Sequence, residues 1–177
     1  MKIERIWSMP SKWTFTIKPI RELLREEVID GLWVDPFAGE NSPARFNDRN
    51  DIDILKDTGY HEDALVFLRR YADNSVDGVL YDPPYSITQA RKYGKKEYAS
   101  MKYWAECKNE IARIIKPKGN AICFGWSSMG LGKNRGFEMT RILLVPHGGS
   151  KNDTIVTVEQ KKLTTGYIGL NPKNRRQ

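Results

Sequence analysis

The sequence predicts an α/β domain in which a mainly parallel sheet carries helices on both faces. Short apolar runs alternate along the chain with segments of helical periodicity, the pattern of strand, helix, strand. Two of the runs end in an acidic residue followed by proline, at Asp35-Pro36 and Asp82-Pro83, and two later runs are joined by the short turn Pro146-His147-Gly148-Gly149. The prolines end their strands, and the short turn implies an antiparallel edge near the C-terminus.

The elements follow in order. Residues 19–29 place Ile20, Leu23, Leu24 and Val28 at helical spacing. Gly31-Leu32-Trp33-Val34 then reads as a strand closing on the tight loop Asp35-Pro36-Phe37-Ala38-Gly39, at the carboxyl end where open parallel sheets bind ligands. Only eight residues separate Gly39 from Asp48. A typical helix takes about 11 residues, so the first crossover helix is expected to be shortened. Residues 63–71 carry Leu65, Phe67 and Leu68 in a short helix ended by Asp73-Asn74-Ser75, and 76–81 form a buried strand. Residues 103–115 form a longer helix with Trp104, Ile111, Ile114 and Ile115 on one side, stopped by Lys116-Pro117-Lys118-Gly119. Strands are expected at 120–126, 137–145 and 154–158.

The most informative segment is Asp82-Pro83-Pro84-Tyr85, which closes the strand at 76–81. Two successive prolines hold φ near about −65° and donate nothing to a sheet, so a carboxylate and fixed carbonyls project beyond the strand end. A carboxylate (Asp82) and a carbonyl (Pro83) accepting the two N–H groups of an exocyclic amine favour a pyramidal nitrogen with its lone pair exposed. Tyr85 offers a flat face for stacking a base. The amine of a paired base is inaccessible inside a duplex, so such chemistry requires the nucleotide to be extruded.

These motifs together resemble the amino-directed, S-adenosylmethionine-dependent nucleic-acid methyltransferases, most of all the compact adenine methyltransferases of phages and mobile elements. The likeness runs from about residue 14 to 159. The segment 14–24, with Phe15, Thr16, Lys18 and Pro19, is similar to the family's amino-terminal cofactor motif; Asp35, Phe37, Ala38 and Gly39 resemble the glycine loop under the methionine end. Asn47-Asp48 stands where the family places an acid for the ribose hydroxyls, and Asp63-Ala64 where it places the segment beside the cofactor's adenine. Asp82, Pro83, Pro84 and Tyr85 match the catalytic tetrapeptide, whose Asp-Pro-Pro-Tyr form is typical of adenine-N6 enzymes. The resemblance implies a class I methyltransferase (Rossmann-like) fold, S-adenosylmethionine as cofactor and DNA as partner. Glu40-Asn41 departs from the family, where a small residue and a second glycine are common, and the shortened crossover removes a helix amino terminus from the cofactor site.

Composition sets the frame. A chain of 177 residues suits one catalytic domain, read as 1–163, with a basic tail at 164–177 and no room for a separate target-recognition domain. Self-association or low specificity would make up for that lack. The formal charge of +7 favours an acidic polymer as partner. Cys107 and Cys123 lack metal-type spacing, so no metal is expected, and a reduced, cytoplasmic setting is. No apolar stretch approaches the roughly 18 residues of a membrane helix. Residues 86–103 mix Arg91, Lys92, Lys95 and Lys96 with Tyr93, a combination suited to phosphate contact and base stacking or, equally, to a solvated lid. Residues 127–137 are a second candidate contact loop. The expected function is methylation of adenine N6 in DNA; the alternatives are an RNA base amino-methyltransferase and an inactive nucleic-acid-binding relative.

Overall fold

The computed structural model describes residues 1–149 and 151–163; the expected basic tail lies outside the described residues. The strands are β1 (Lys2–Arg5), β2 (Trp33–Val34), β3 (Val76–Tyr81), β4 (Ile115–Gly125), β5 (Phe137–Val145) and β6 (Thr154–Lys161). The helices are α1 (Lys18–Glu27), α2 (Ala64–Leu68), α3 (Ile87–Lys92) and α4 (Met101–Ile114). The strands form one sheet in the order β1-β5-β6-β4-β3-β2. Pairing is parallel for β1 with β5, β2 with β3 and β3 with β4, and antiparallel where β6 meets β4 and β5.

The antiparallel strand expected near the C-terminus is thus β6. It lies between β4 and β5, and β1 extends the sheet by one more strand beyond β5. Sequence patterning did not indicate β1, because four mostly exposed, largely charged residues bury no alternating apolar face. Its ties are polar: Arg141 on β5 donates to Glu4 at 2.6 Å and, from α1, to Glu26 at 2.6 Å and Glu27 at 3.1 Å.

Strand alternation sorts the core into two layers. Val79 and Tyr81 of β3, with Ala121 and Cys123 of β4, pack under α2 and α4 with Phe67, Leu68, Cys107, Ile111 and Ile114. Leu80, Ile122 and Phe124 face the other way, toward Ile20, Leu23 and Leu24 of α1. Helix α1 starts with proline in its first turn, and α2 and α4 are capped by the side chains of Asp63 and Ser100. Gly78 lies opposite Trp33, and a Cβ there would collide with the indole ring, so glycine lets β2 close against β3.

Two expectations change. Residues 86–103, read as a loop, hold α3, a 3-10 turn at Lys96–Ala99 and the start of α4. The helix stop at 116–119 belongs to β4, where the register with β3 jumps from Val76↔Ile115 to Gly78↔Asn120 and the extra residues bulge out. The shortened crossover is as expected: between Gly39 and Ala64 the chain forms only a 3-10 turn at Phe46–Asp48 and isolated bridges. Among the described residues no helix is long and apolar enough to cross a membrane.

Candidate active site

Because β2 and β3 are neighbouring parallel strands, the segments that follow them leave the sheet side by side. Asp35 and Asp82 are the first residues past the two strand ends. Pro36, Phe37, Ala38 and Gly39 from the first segment and all of Asp82, Pro83, Pro84 and Tyr85 from the second line one cavity of about 180 Å³. Phe15 from the turn before α1 and Ala64 from the start of α2 join the same wall.

The two aspartates differ in what surrounds them. Asp35 is fully buried, accepting from the Ser42 hydroxyl at 2.6 Å and the Phe37 N–H at 3.1 Å. Burial pushes its carboxyl up to about 7 against those two hydrogen bonds, with the nearby Asp82 and Asp51 charges adding to the rise. Asp82 is half-buried and faces the cavity, its carboxylate accepting from the Tyr85 hydroxyl. Burial raises it too, to about 7, with a hydrogen bond from Thr14 pulling the other way.

Some residues expected in the cofactor site lie elsewhere. Asp48 is not on the cavity wall; its carboxylate accepts from the Tyr71 hydroxyl at 3.2 Å and its backbone carbonyl from the Asp35 N–H at 2.9 Å. The acid that does reach the cavity is Asp51, which accepts from the Gly39 N–H at 3.0 Å and the Asp53 N–H at 2.9 Å. Burial again raises its carboxyl. Asp63 caps α2 and accepts from the Tyr103 hydroxyl at 3.1 Å, leaving its neighbours Glu62 and Ala64 on the wall. Thr16 turns away, its hydroxyl donating to the Trp13 carbonyl at 2.8 Å, and the Lys18 side chain is exposed at the start of α1.

Of the residues expected to meet nucleic acid, Tyr93 lines the cavity while Arg91, Lys92, Lys95 and Lys96 are exposed on α3 and the turn after it. The tyrosines Tyr98 and Tyr103 close the same wall, and burial pushes the Tyr98 hydroxyl up to about 12.

A second cavity of about 250 Å³ lies on the other side of Pro83 and Tyr85, between α4 and the end of β4. Trp104, Lys108, Phe124 and Trp126 form much of it, and Cys123 lies within its lining. Burial holds the Cys123 and Cys107 thiols up at about 12, so neither supplies the thiolate that covalent attack on a ring carbon would need.

No family profile matches the chain, and no curated protein matches it. Solved structures do. Over 82% of its length the chain superposes on 49% of TrmN from Thermus thermophilus, with 18% identity and a TM-score of 0.56. Over 81% it superposes on 76% of 1,6-didemethyltoxoflavin-N1-methyltransferase from Burkholderia thailandensis, a structure with bound 1,6-didemethyltoxoflavin and S-adenosylhomocysteine, at 12% identity and a TM-score of 0.56. The N-methyltransferase NodS from Bradyrhizobium japonicum WM9 matches over 82% of this chain and 96% of its own, at 9% identity and a TM-score of 0.52. The chain has the class I methyltransferase fold. It spans about half the length of TrmN. In this fold the cavity occupies the carboxyl ends of adjacent parallel strands, the usual place for a ligand. A shared fold leaves the chemistry to the site itself.

Proposed function

We propose that the chain transfers a methyl group from S-adenosylmethionine to the exocyclic N6 amine of adenine in DNA. The observation that carries this reading is the meeting of the Asp82-Pro83-Pro84-Tyr85 tetrapeptide with the Phe37-Ala38-Gly39 loop on one cavity.

The residues present fit the cofactor. Gly39 has φ 51° and open space where a Cβ would stand, the nearest atom being an Asp51 carboxylate oxygen at 4.0 Å, so a ligand can approach the backbone there. Asp51, Glu62 and Asp82 give the cavity acidic groups suited to a sulfonium cation and to ribose hydroxyls, and Phe37 and Tyr103 give it flat apolar faces. At about 180 Å³ this cavity alone is smaller than the roughly 300–1,000 Å³ of drug-sized ligand sites. The second cavity shares Pro83 and Tyr85 with it, which gives donor and acceptor separate seats either side of the tetrapeptide.

S-adenosylmethionine, when bound, supplies an electrophilic methyl group. The protein's part is to prepare the acceptor. Ionised Asp82 and the Pro83 carbonyl accept the two amine N–H bonds and turn the nitrogen lone pair toward the cofactor side. Asp82, titrating near 7, is also placed to take the proton that the amine sheds on gaining its fourth bond. Tyr85 holds the ring plane, and holding the two reactants in line supplies much of the remaining acceleration. The exposed cations of α3 and the following turn suit phosphate contact beside the cavity mouth.

The test is to incubate the purified chain with deuterated-methyl cofactor and, in separate arms, duplex DNA, single-stranded DNA and RNA. Digested nucleosides are then weighed by mass spectrometry. The expected product is labelled N6-methyladenine from DNA, absent with Asp82→Ala. Label in RNA alone would move the acceptor to an RNA base. Cofactor binding with no labelled nucleoside in any arm would overturn methylation of nucleic acid.

A further inference from the structure

The second cavity has no role in holding the cofactor, yet its wall is built for a particular kind of guest. Tyr85 and Trp126 stand with ring centroids 5.5 Å apart at 57°, tilted rather than stacked, and Trp104 and Phe124 complete an aromatic surround. Trp126 is 45% exposed, so its ring can swing outward to admit a slab between itself and Tyr85. Two polar groups interrupt this surround. Lys108 donates from Nζ to the Gly130 carbonyl at 2.6 Å, which fixes the ammonium at the cavity wall with two N–H bonds left over. Among the described residues it forms no ion pair. Tyr81 is 2% exposed and its hydroxyl has no hydrogen-bond partner among the described residues, a state in which buried donors are rarely left.

We propose that this cavity seats the acceptor ring, a flat amino-substituted nucleobase, and that Lys108 donates to an acceptor atom of that ring. The proposal rests on the methyl-transfer reading and adds to it a seat and a reading residue. The shared wall makes the arrangement coherent. A ring held between Trp126 and Tyr85 lies beside Pro83 and can present its exocyclic amine at Asp82, which faces the first cavity. The Tyr85 hydroxyl, now on Asp82, has to yield that carboxylate oxygen to the amine. Each N–H then finds an acceptor, and the ring acceptor finds the Lys108 donor. A buried site whose donors match the guest's acceptors discriminates against rings lacking them, because the wrong ring leaves those groups unpaired.

The wall carries its own reporters, Trp104 and Trp126. With the whole chain saturated with S-adenosylhomocysteine, 2′-deoxyadenosine is titrated in and tryptophan emission is followed. The expected result is saturable quenching that Trp126→Phe largely removes and that thymidine does not reproduce. Lys108→Ala should weaken binding about tenfold, the size of one lost charge-assisted hydrogen bond, and Lys108→Arg should restore part of it. Tyr81→Phe, which removes only an unpaired hydroxyl, should weaken it by about threefold, within the range of a single hydrogen bond. Calorimetric affinity for S-adenosylhomocysteine should be the same in all four variants, which also shows that they fold. Nucleoside binding unchanged by Lys108→Ala, displacement of S-adenosylhomocysteine by the nucleoside, or no quenching while S-adenosylhomocysteine binds would each overturn the proposal and leave the cofactor reading standing. Failure of the wild-type chain to bind S-adenosylhomocysteine at all would overturn both.

Discussion

Asp35 and Asp82 are the same residue type, each the first residue past one of two adjacent parallel strands and each followed by proline, with burial raising both carboxyls to about 7. Their surroundings separate them. Asp35 is sealed, with one oxygen on the Ser42 hydroxyl and the other on the Phe37 N–H, and so shapes the loop carrying Ala38 and Gly39. Asp82 meets the cavity and is held only by hydroxyls, from Tyr85 and Thr14, which a ligand can displace. Residue identity and strand position do not tell a supporting carboxylate from a working one; the permanence of its hydrogen-bond partners does.

The largest effect that would sharpen this contrast is on turnover. Asp82→Ala removes the amine acceptor and should lower kcat by about 10²–10³, in line with deletion of one preorganised group, while cofactor affinity measured by calorimetry changes little. Asp35→Asn keeps the shape of the loop and should leave turnover within several-fold of the native chain. A collapse of activity in Asp35→Asn with a folded protein would break the distinction.

Stability comes next. Both carboxyls are raised in the folded state above their unfolded value, so between about pH 4 and pH 7 the folded chain holds protons that the unfolded chain has lost. Stability therefore falls as pH rises through that window and levels off above it. Asp35→Asn and Asp82→Asn each remove a desolvated charge, and each should raise the unfolding midpoint at pH 8, by an amount on the order of a few kcal/mol, and have little effect near pH 4. Thermal melts at the two pH values check this.

A smaller effect is expected at the loop between the two tips. Gly39→Ala forces a residue with a side chain into the left-handed region at φ 51°, at about 1–2 kcal/mol. Cofactor affinity should fall by up to about tenfold, measured by calorimetry. The smallest is at Tyr81, where Tyr81→Phe deletes a hydroxyl that has no partner among the described residues. Its loss should stabilise the chain by about 1 kcal/mol, read as a small rise in the denaturation midpoint.

How much of this was legible follows the range of the interactions involved. The runs that became β3 and α4 and the tetrapeptide at 82–85 were readable because their signals are local: periodicity, consecutive prolines, an apolar run that stops. The pairing of the two strand tips was inferable from parallel-sheet logic. Asp51 was missed in favour of Asp48 because the irregular crossover, not a strand and helix, decides which acid turns inward; the turn at Asp51, whose carboxylate caps the Asp53 N–H, was the available local hint. Helix α3 was also hidden behind its charges, though Ser86 and Gln89 form a capping box whose spacing is visible in the sequence. Trp104, Lys108 and Trp126 had no such hint. They meet at the second cavity only because α4 lies over the ends of β3 and β4.

The most direct test of the contrast between the two tips is the pH dependence of kcat on DNA for the native chain and for Asp82→Asn. If ionised Asp82 accepts the amine, native turnover rises with pH through about 7 and then levels, whereas Asp82→Asn, neutral throughout but still offering one carbonyl acceptor, turns over more slowly and with no step near 7. A native profile flat across that range, or an Asp82→Asn profile that keeps the same step and height, would contradict the account.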